Sequence, residues 1–167
     1  MKYYSTNKKS IRVNFREAVL KGIADDQGLF FPEKIEVLPE EKIRDFQKTS
    51  LTEIAYEIAR IFVKNDIPDK ILSEIIRDSL NFEIPIVKVE ENVFSLELFH
   101  GPTMAFKDVG ARFLARCMSH FNETGKTITI LVATSGDTGS AVANGFLGIE
   151  GINVVILYPS GKVRIHS

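Results

Sequence analysis

The sequence predicts an α/β protein: a helical N-terminal segment followed by the start of a parallel sheet. Three observations carry that reading. Apolar residues recur at helical spacing through the first 80 positions, the composition shifts after Asn81 towards short β-type runs, and a strand, a helix and a second strand follow one another between residues 127 and 159. Strand–helix–strand order has a parallel sheet as its natural setting.

Taken in order, residues 14–22 open with Asn14 three positions before Glu17, a capping-box-like start. Phe15, Val19 and Ile23 then fall at helical spacing, and Gly22 predicts the end. Ser50 and Glu53 repeat the device ahead of a stripe of Ile54, Ile58, Ile61 and Phe62. Pro68 occupies a predicted first helical position, with Leu72, Ile76 and Leu80 four apart. Residues 1–80 are therefore expected to form one helical region, and residues 81–167 a second one of different character. The runs 85–89 and 93–99 flank Glu90, Glu91 and Asn92 and predict a hairpin. A helix is predicted from about 105 to 121, a buried strand over 127–133, a glycine-bearing turn over 134–140, a helix over 141–148 and a strand over 153–159. Parallel strands are normally buried on both faces, so two of them make an incomplete sheet, as expected of part of a larger domain.

Composition narrows the function. The 167 residues carry 21 basic and 22 acidic side chains, with no basic block, which argues against a nucleic-acid or polybasic membrane surface. Cys117 is the single cysteine, so no internal disulfide exists, and the scattered His100, His120 and His166 offer no zinc-type spacing. No metal is expected. The N-terminus lacks the apolar core of a secretory signal, and no apolar run approaches the roughly 18 residues of a membrane span. A cytoplasmic setting is the expectation, with small molecules or proteins as partners.

Lys107 breaks two local rules. Wound at about 100° per residue, the helix places Phe106, Val109, Gly110, Phe113, Leu114, Cys117, Met118 and Phe121 on one apolar arc, with Asp108, Arg112, Arg116 and Ser119 opposite. Lys107 falls inside the apolar arc and in the first turn, where the macrodipole disfavours a cation. Two readings fit. Either Lys107 snorkels to water over an apolar stem, or desolvation lowers its pKa and makes a nucleophilic amine able to form a Schiff base. Arg112 reads as a solvated residue, and Thr103 equally as a helix cap or a ligand.

The turn from Thr134 to Gly139 precedes a helix and presents unpaired backbone N–H groups and small hydroxyls, an anion site. It lacks the G-K-[ST] ending of a P-loop and the G-x-G-x-x-G spacing of a dinucleotide fold. The plain alternative is that Ser135, Asp137 or Thr138 caps the helix while the glycines make the turn. Asp137 is odd beside an anion, unless it faces a ligand oxygen that carries a proton.

The segments LFHGPTMAFKDVGARF and ATSGDTGSAVANGF, with YYSTN and VNFREAVLKGIADDQGLFFPE before them, resemble threonine synthase, a pyridoxal-phosphate enzyme family related in fold to the tryptophan synthase β-subunit and cysteine synthase. The resemblance runs from Tyr3 to Lys162. It implies an incomplete three-layer domain that binds pyridoxal 5′-phosphate, with Lys107 as the catalytic lysine that holds the cofactor and moves protons. It further implies that Ser135, Gly136, Asp137, Thr138 and Gly139 bind the substrate carboxylate, and that Asp137 also meets the cofactor ring oxygen. The implied reaction converts O-phospho-L-homoserine and water to L-threonine and phosphate. The loop that grips the cofactor phosphate is expected beyond Ser167. Two further possibilities stand beside this one: a non-catalytic fragment or interaction module of the same fold, self-associating through an exposed sheet edge, and β-elimination or replacement on another amino acid.

Overall fold

The computed structural model describes residues 1–8, 11–122, 125–134 and 136–160. It divides into two compact units, Met1–Arg77 and Asp78–Ser167.

The first unit mixes strands and helices. β1 (Tyr3–Ser5) lies between β2 (Arg12–Val13) and β3 (Phe30–Pro32), antiparallel to both, with Tyr3 opposite Val13 and Tyr4 opposite Phe31. This sheet corrects the expectation of a helical region over 1–80: strands of two or three residues are too short to show a period-2 pattern. α1 (Phe15–Lys21) begins where Asn14 accepts the Glu17 N–H at 2.8 Å and ends at Gly22, whose φ of 69° suits glycine. α2 (Glu40–Asp45) is short and was not foreseen. α3 (Leu51–Val63) carries the capping box of Ser50 and Glu53, and α4 (Asp69–Ser79) follows Pro68. The Tyr3 hydroxyl donates to the Phe62 carbonyl at 3.0 Å, which ties the sheet to α3. Burial, then the charge of Asp66, pushes that phenol up to about 12.

The second unit opens with a hairpin, β4 (Ile86–Glu90) against β5 (Val93–Leu96), antiparallel and bulged between Lys88 and Glu90. Asn92 makes the turn at φ 62°, a conformation asparagine tolerates. α5 (Lys107–Phe121), β6 (Ile128–Ala133), α6 (Asp137–Phe146) and β7 (Ile152–Leu157) follow. β6 and β7 are parallel, in register from Ile128 opposite Ile152 to Ala133 opposite Leu157. α5 and α6 approach closely: a Cβ on Gly145 would stand 3.0 Å from the Ala111 carbonyl carbon. α6 starts four residues before the predicted position, so Asp137, Thr138 and Gly139 belong to its first turn rather than to a preceding loop.

Exposure alternates along both parallel strands. Ile128, Ile130, Val132, Ile152, Val154 and Ile156 are covered or partly covered, whereas Leu131 and Leu157 are more than half exposed. Burial on both faces, the sequence expectation, is thus replaced by one covered face, that of the helical layer.

Hydrogen bonds fix both ends of α6, and the end of α5, on the strands. At the end of α5, Asn122 donates through Nδ2 to Gly151 O at 3.4 Å, beside the start of β7. At the start of α6, Thr134 N–H donates to Leu157 O at 2.9 Å, at the far end of β7. Phe146 closes α6 and accepts from Ile149 N–H, whose own carbonyl accepts from Ile152 at the strand's start. α6 therefore begins at the carboxyl ends of the parallel strands, the side where open α/β sheets present their ligand crevices, while α5 ends near the amino end of β7.

Candidate active site

Lys107 is the first residue of α5, and it is half-buried. Its Nζ lies 4.4 Å from the ring centroid of Phe106, itself mostly exposed. The aromatic face thus attracts a cation that the helix start disfavours. Phe106 holds the N-cap position in αR geometry and supplies no side-chain cap.

The face on which α5 buries itself is rotated from the predicted one. Asp108, Arg112, Ala115, Cys117, Met118 and Phe121 are buried, whereas Gly110 and Leu114 are exposed and Val109 and Phe113 only partly covered. Two supposedly solvent-facing charges are therefore internal. Arg112 donates through Nε to Ser79 O at 3.0 Å, and through Nη2 to Asp78 O at 2.7 Å and Asn81 Oδ1 at 2.8 Å. A planar guanidinium matches the otherwise unpaired carbonyls of a helix end, and that match overrides the polar-arc expectation. Burial, followed by the charge of Arg116, lowers its pKa; Asp108 and Asp78 oppose this.

Asp108 is wholly buried. Its Oδ2 accepts the Thr103 N–H at 2.9 Å and its Oδ1 accepts the Thr103 hydroxyl at 2.6 Å. Thr103, read from sequence as cap or ligand, is occupied as Asp108's partner. Nothing in the helical period marked Asp108 as internal. The signal available was its place five residues after a threonine in a Gly-Pro-Thr turn, a spacing at which a carboxylate can satisfy the turn's donors.

The second group of site residues stands at the start of α6. Gly136 is the N-cap residue, with no side-chain cap bond, so neither Asp137 nor Thr138 serves as the cap. Both Gly136 and Asp137 are exposed. Among the described residues the N–H groups of Asp137 and Thr138 have no acceptor, whereas Gly139 N–H already donates to Gly136 O at 3.0 Å. Gly139 is buried; a Cβ there would lie 3.0 Å from Thr134 Cγ2 and 3.3 Å from Ile156 Cγ2, so the glycine permits α6 to sit close on the strands. Ser135 lies outside the described residues. Lys107 and the turn 136–138 thus each stand at a helix start, an amine on one and open backbone donors on the other. That donor set fits an aldehyde-bearing anionic cofactor and a carboxylate substrate.

A groove of about 500 Å³ in the first unit is lined by Glu36, Lys42, Glu57, Arg60, Lys64 and Asp69 among others. Its lysines are paired, Lys64 with Glu36 at 2.7 Å and Lys42 with Glu57. It contains none of the candidate residues.

Residues 2–80 match the family described as threonine synthase N terminus. The threonine synthase of Haemophilus influenzae is 46% identical over 163 residues, an alignment covering 98% of this chain and 38% of that protein. The chain is similar throughout to the N-terminal portion of threonine synthases. The Escherichia coli enzyme is 43% identical over 163 residues, and its crystal structure matches with a TM-score of 0.90 over 97% of this chain and 38% of its own. The PLP-bound threonine synthase of Brucella melitensis matches at TM-score 0.91 and 38% identity, over 98% and 37%. The chain thus spans a little over a third of the length of its threonine synthase relatives.

Proposed function

We propose that this chain carries the lysine and the substrate-anion site of a threonine synthase reaction, the conversion of O-phospho-L-homoserine and water to L-threonine and phosphate. The reading is supported by two helix starts without a side-chain cap, one opened by Lys107 and the other by backbone donors that have no acceptor among the described residues. Pyridoxal 5′-phosphate, when bound, supplies an electron sink for the pair left on the substrate α-carbon. Lys107 Nζ would be the group that holds the cofactor, and as a free amine it would take and return protons at the substrate. The N–H groups of Asp137 and Thr138, with Gly136 leaving room, receive the substrate carboxylate, helped by the positive helix end. The Asp137 carboxylate faces a ligand oxygen that carries a proton. The remaining two-thirds of a threonine synthase, as judged by the relatives' length, would supply the grip on the cofactor phosphate. The setting we propose is cytoplasmic.

The test is incorporation of tritium from borohydride in the presence of pyridoxal phosphate. Lys107→Ala should lose essentially all incorporation, and Asp137→Ala should raise the cofactor concentration needed while leaving the circular-dichroism melt within a few degrees. Retained incorporation in Lys107→Ala would remove the catalytic role from that residue.

A further inference from the structure

The turn that delivers Lys107 is closed by a small clasp. Gly101 O accepts the Met104 N–H at 3.0 Å, closing a β-turn over Pro102 and Thr103. Met104 then adopts φ 55°, a left-handed conformation that is uncommon for a side chain of its size, and its side chain is 79% exposed, so no burial of its own holds it there. The strained turn is instead held from the helix side. Both carboxylate oxygens of the wholly buried Asp108 are taken by Thr103, one by its N–H and one by its hydroxyl. Gly101 packs on the same carboxylate: a Cβ there would stand 2.6 Å from Oδ2 and 2.9 Å from the Asp108 Cβ. Two residues before Lys107 thus converge on the buried carboxylate of the residue that follows it.

We infer that Asp108 is a positioning residue for Lys107: with Thr103 and Gly101 it locks the 101–106 turn so that the amine leaves the start of α5 in one direction. The inference rests on the assignment of Lys107 as the reactive lysine. The carboxylate is suited to this because it accepts two bonds at once, from a backbone and a side-chain donor of one residue, which fixes that residue's position and its rotation. It touches neither substrate nor cofactor in this scheme.

The experiment compares wild type, Thr103→Val, Gly101→Ala, Thr103→Ser and Asp108→Asn by two readouts on the whole 167-residue chain. The first is the rate of reductive methylation of Lys107 relative to Lys70 and Lys126 in the same molecule. The second is the share of borohydride-trapped pyridoxal phosphate found on Lys107. Thr103→Val and Gly101→Ala open the clasp, so the relative methylation of Lys107 should rise about threefold or more and its share of trapped cofactor fall about tenfold, the loss of one hydrogen bond's worth of order. Thr103→Ser keeps the hydroxyl. Asp108→Asn can accept from the N–H and donate to the hydroxyl. Both should stay within about twofold of wild type. General loosening would raise all three lysines together, so it leaves the ratio unmoved.

Unchanged ratios in a folded Thr103→Val would overturn the inference. Should that variant not fold, amide exchange in the wild type decides: a Thr103 N–H slowed about a hundredfold or more supports the clasp, and exchange at the open-chain rate refutes it. A wild type that traps cofactor on no particular lysine would sink the Schiff-base reading, while the methylation ratio still judges the clasp.

Discussion

At the scale of single residues, the charges on α5 define its role. Lys107 stands out in the sequence by two rules, the apolar arc and the helix dipole; the structure keeps the second, with Lys107 opening α5, and rotates the arc. Asp108 and Arg112 were misplaced on the polar arc because their burial is decided by partners elsewhere in the chain, the Thr103 turn and the carbonyls of Asp78 and Ser79. Periodicity registers apolar burial and is silent about charges that are satisfied internally. Arg112→Ala should cost about 3 kcal/mol in urea denaturation, since it strands two carbonyls and Asn81 without their donor. Cys117 is fully buried, and burial pushes its thiol up to about 12. It should resist a disulfide-exchange reagent at pH 8 and react only on unfolding. A thiol that ionises more readily in the unfolded chain stabilises the fold fully below that chain's ordinary value. This contribution declines as pH rises from about 9 towards 12.

At the scale of elements, caps were the most readable signals. Asn14 and Ser50 both bond the N–H three residues on, as their spacing implies, and the hairpin turns at Glu91 and Asn92. The strands of the first unit were not readable, because two or three residues display no alternation. The start of α6 was misjudged because glycine and threonine suggest a turn; α6 nonetheless includes Gly139, which fits against Thr134 and Ile156 where a larger residue would not. Gly145 does the same between helices. Gly145→Ala should push α6 away from the Ala111 backbone and cost about 1–3 kcal/mol, lowering the melting temperature. Gly110, on the same helix as Ala111 but facing open space, should accept alanine with a small gain, because helix propensity alone then decides.

At the scale of the whole molecule, the β6–β7 sheet and the β4–β5 hairpin leave apolar side chains in water: Leu131, Val155, Leu157, Ile86, Val89 and Phe94 are between 43% and 71% exposed. Such surface favours association. We propose that the isolated chain self-associates through it. Sedimentation should show oligomers that grow with concentration, and Leu131→Lys, which places a charge on the uncovered face, should shift the distribution towards monomer. A wild type that stays monomeric at high concentration would exclude this.

The most direct test of the role of Lys107 is to add pyridoxal phosphate to the purified chain, reduce with borohydride, and map the modified peptide by mass spectrometry. Selective modification of Lys107 over the other twelve lysines is the expected result, showing that the start of α5 is organised to present a reactive amine. Modification scattered over the surface lysines, with Lys107 no more reactive than Lys70 or Lys126, would contradict it.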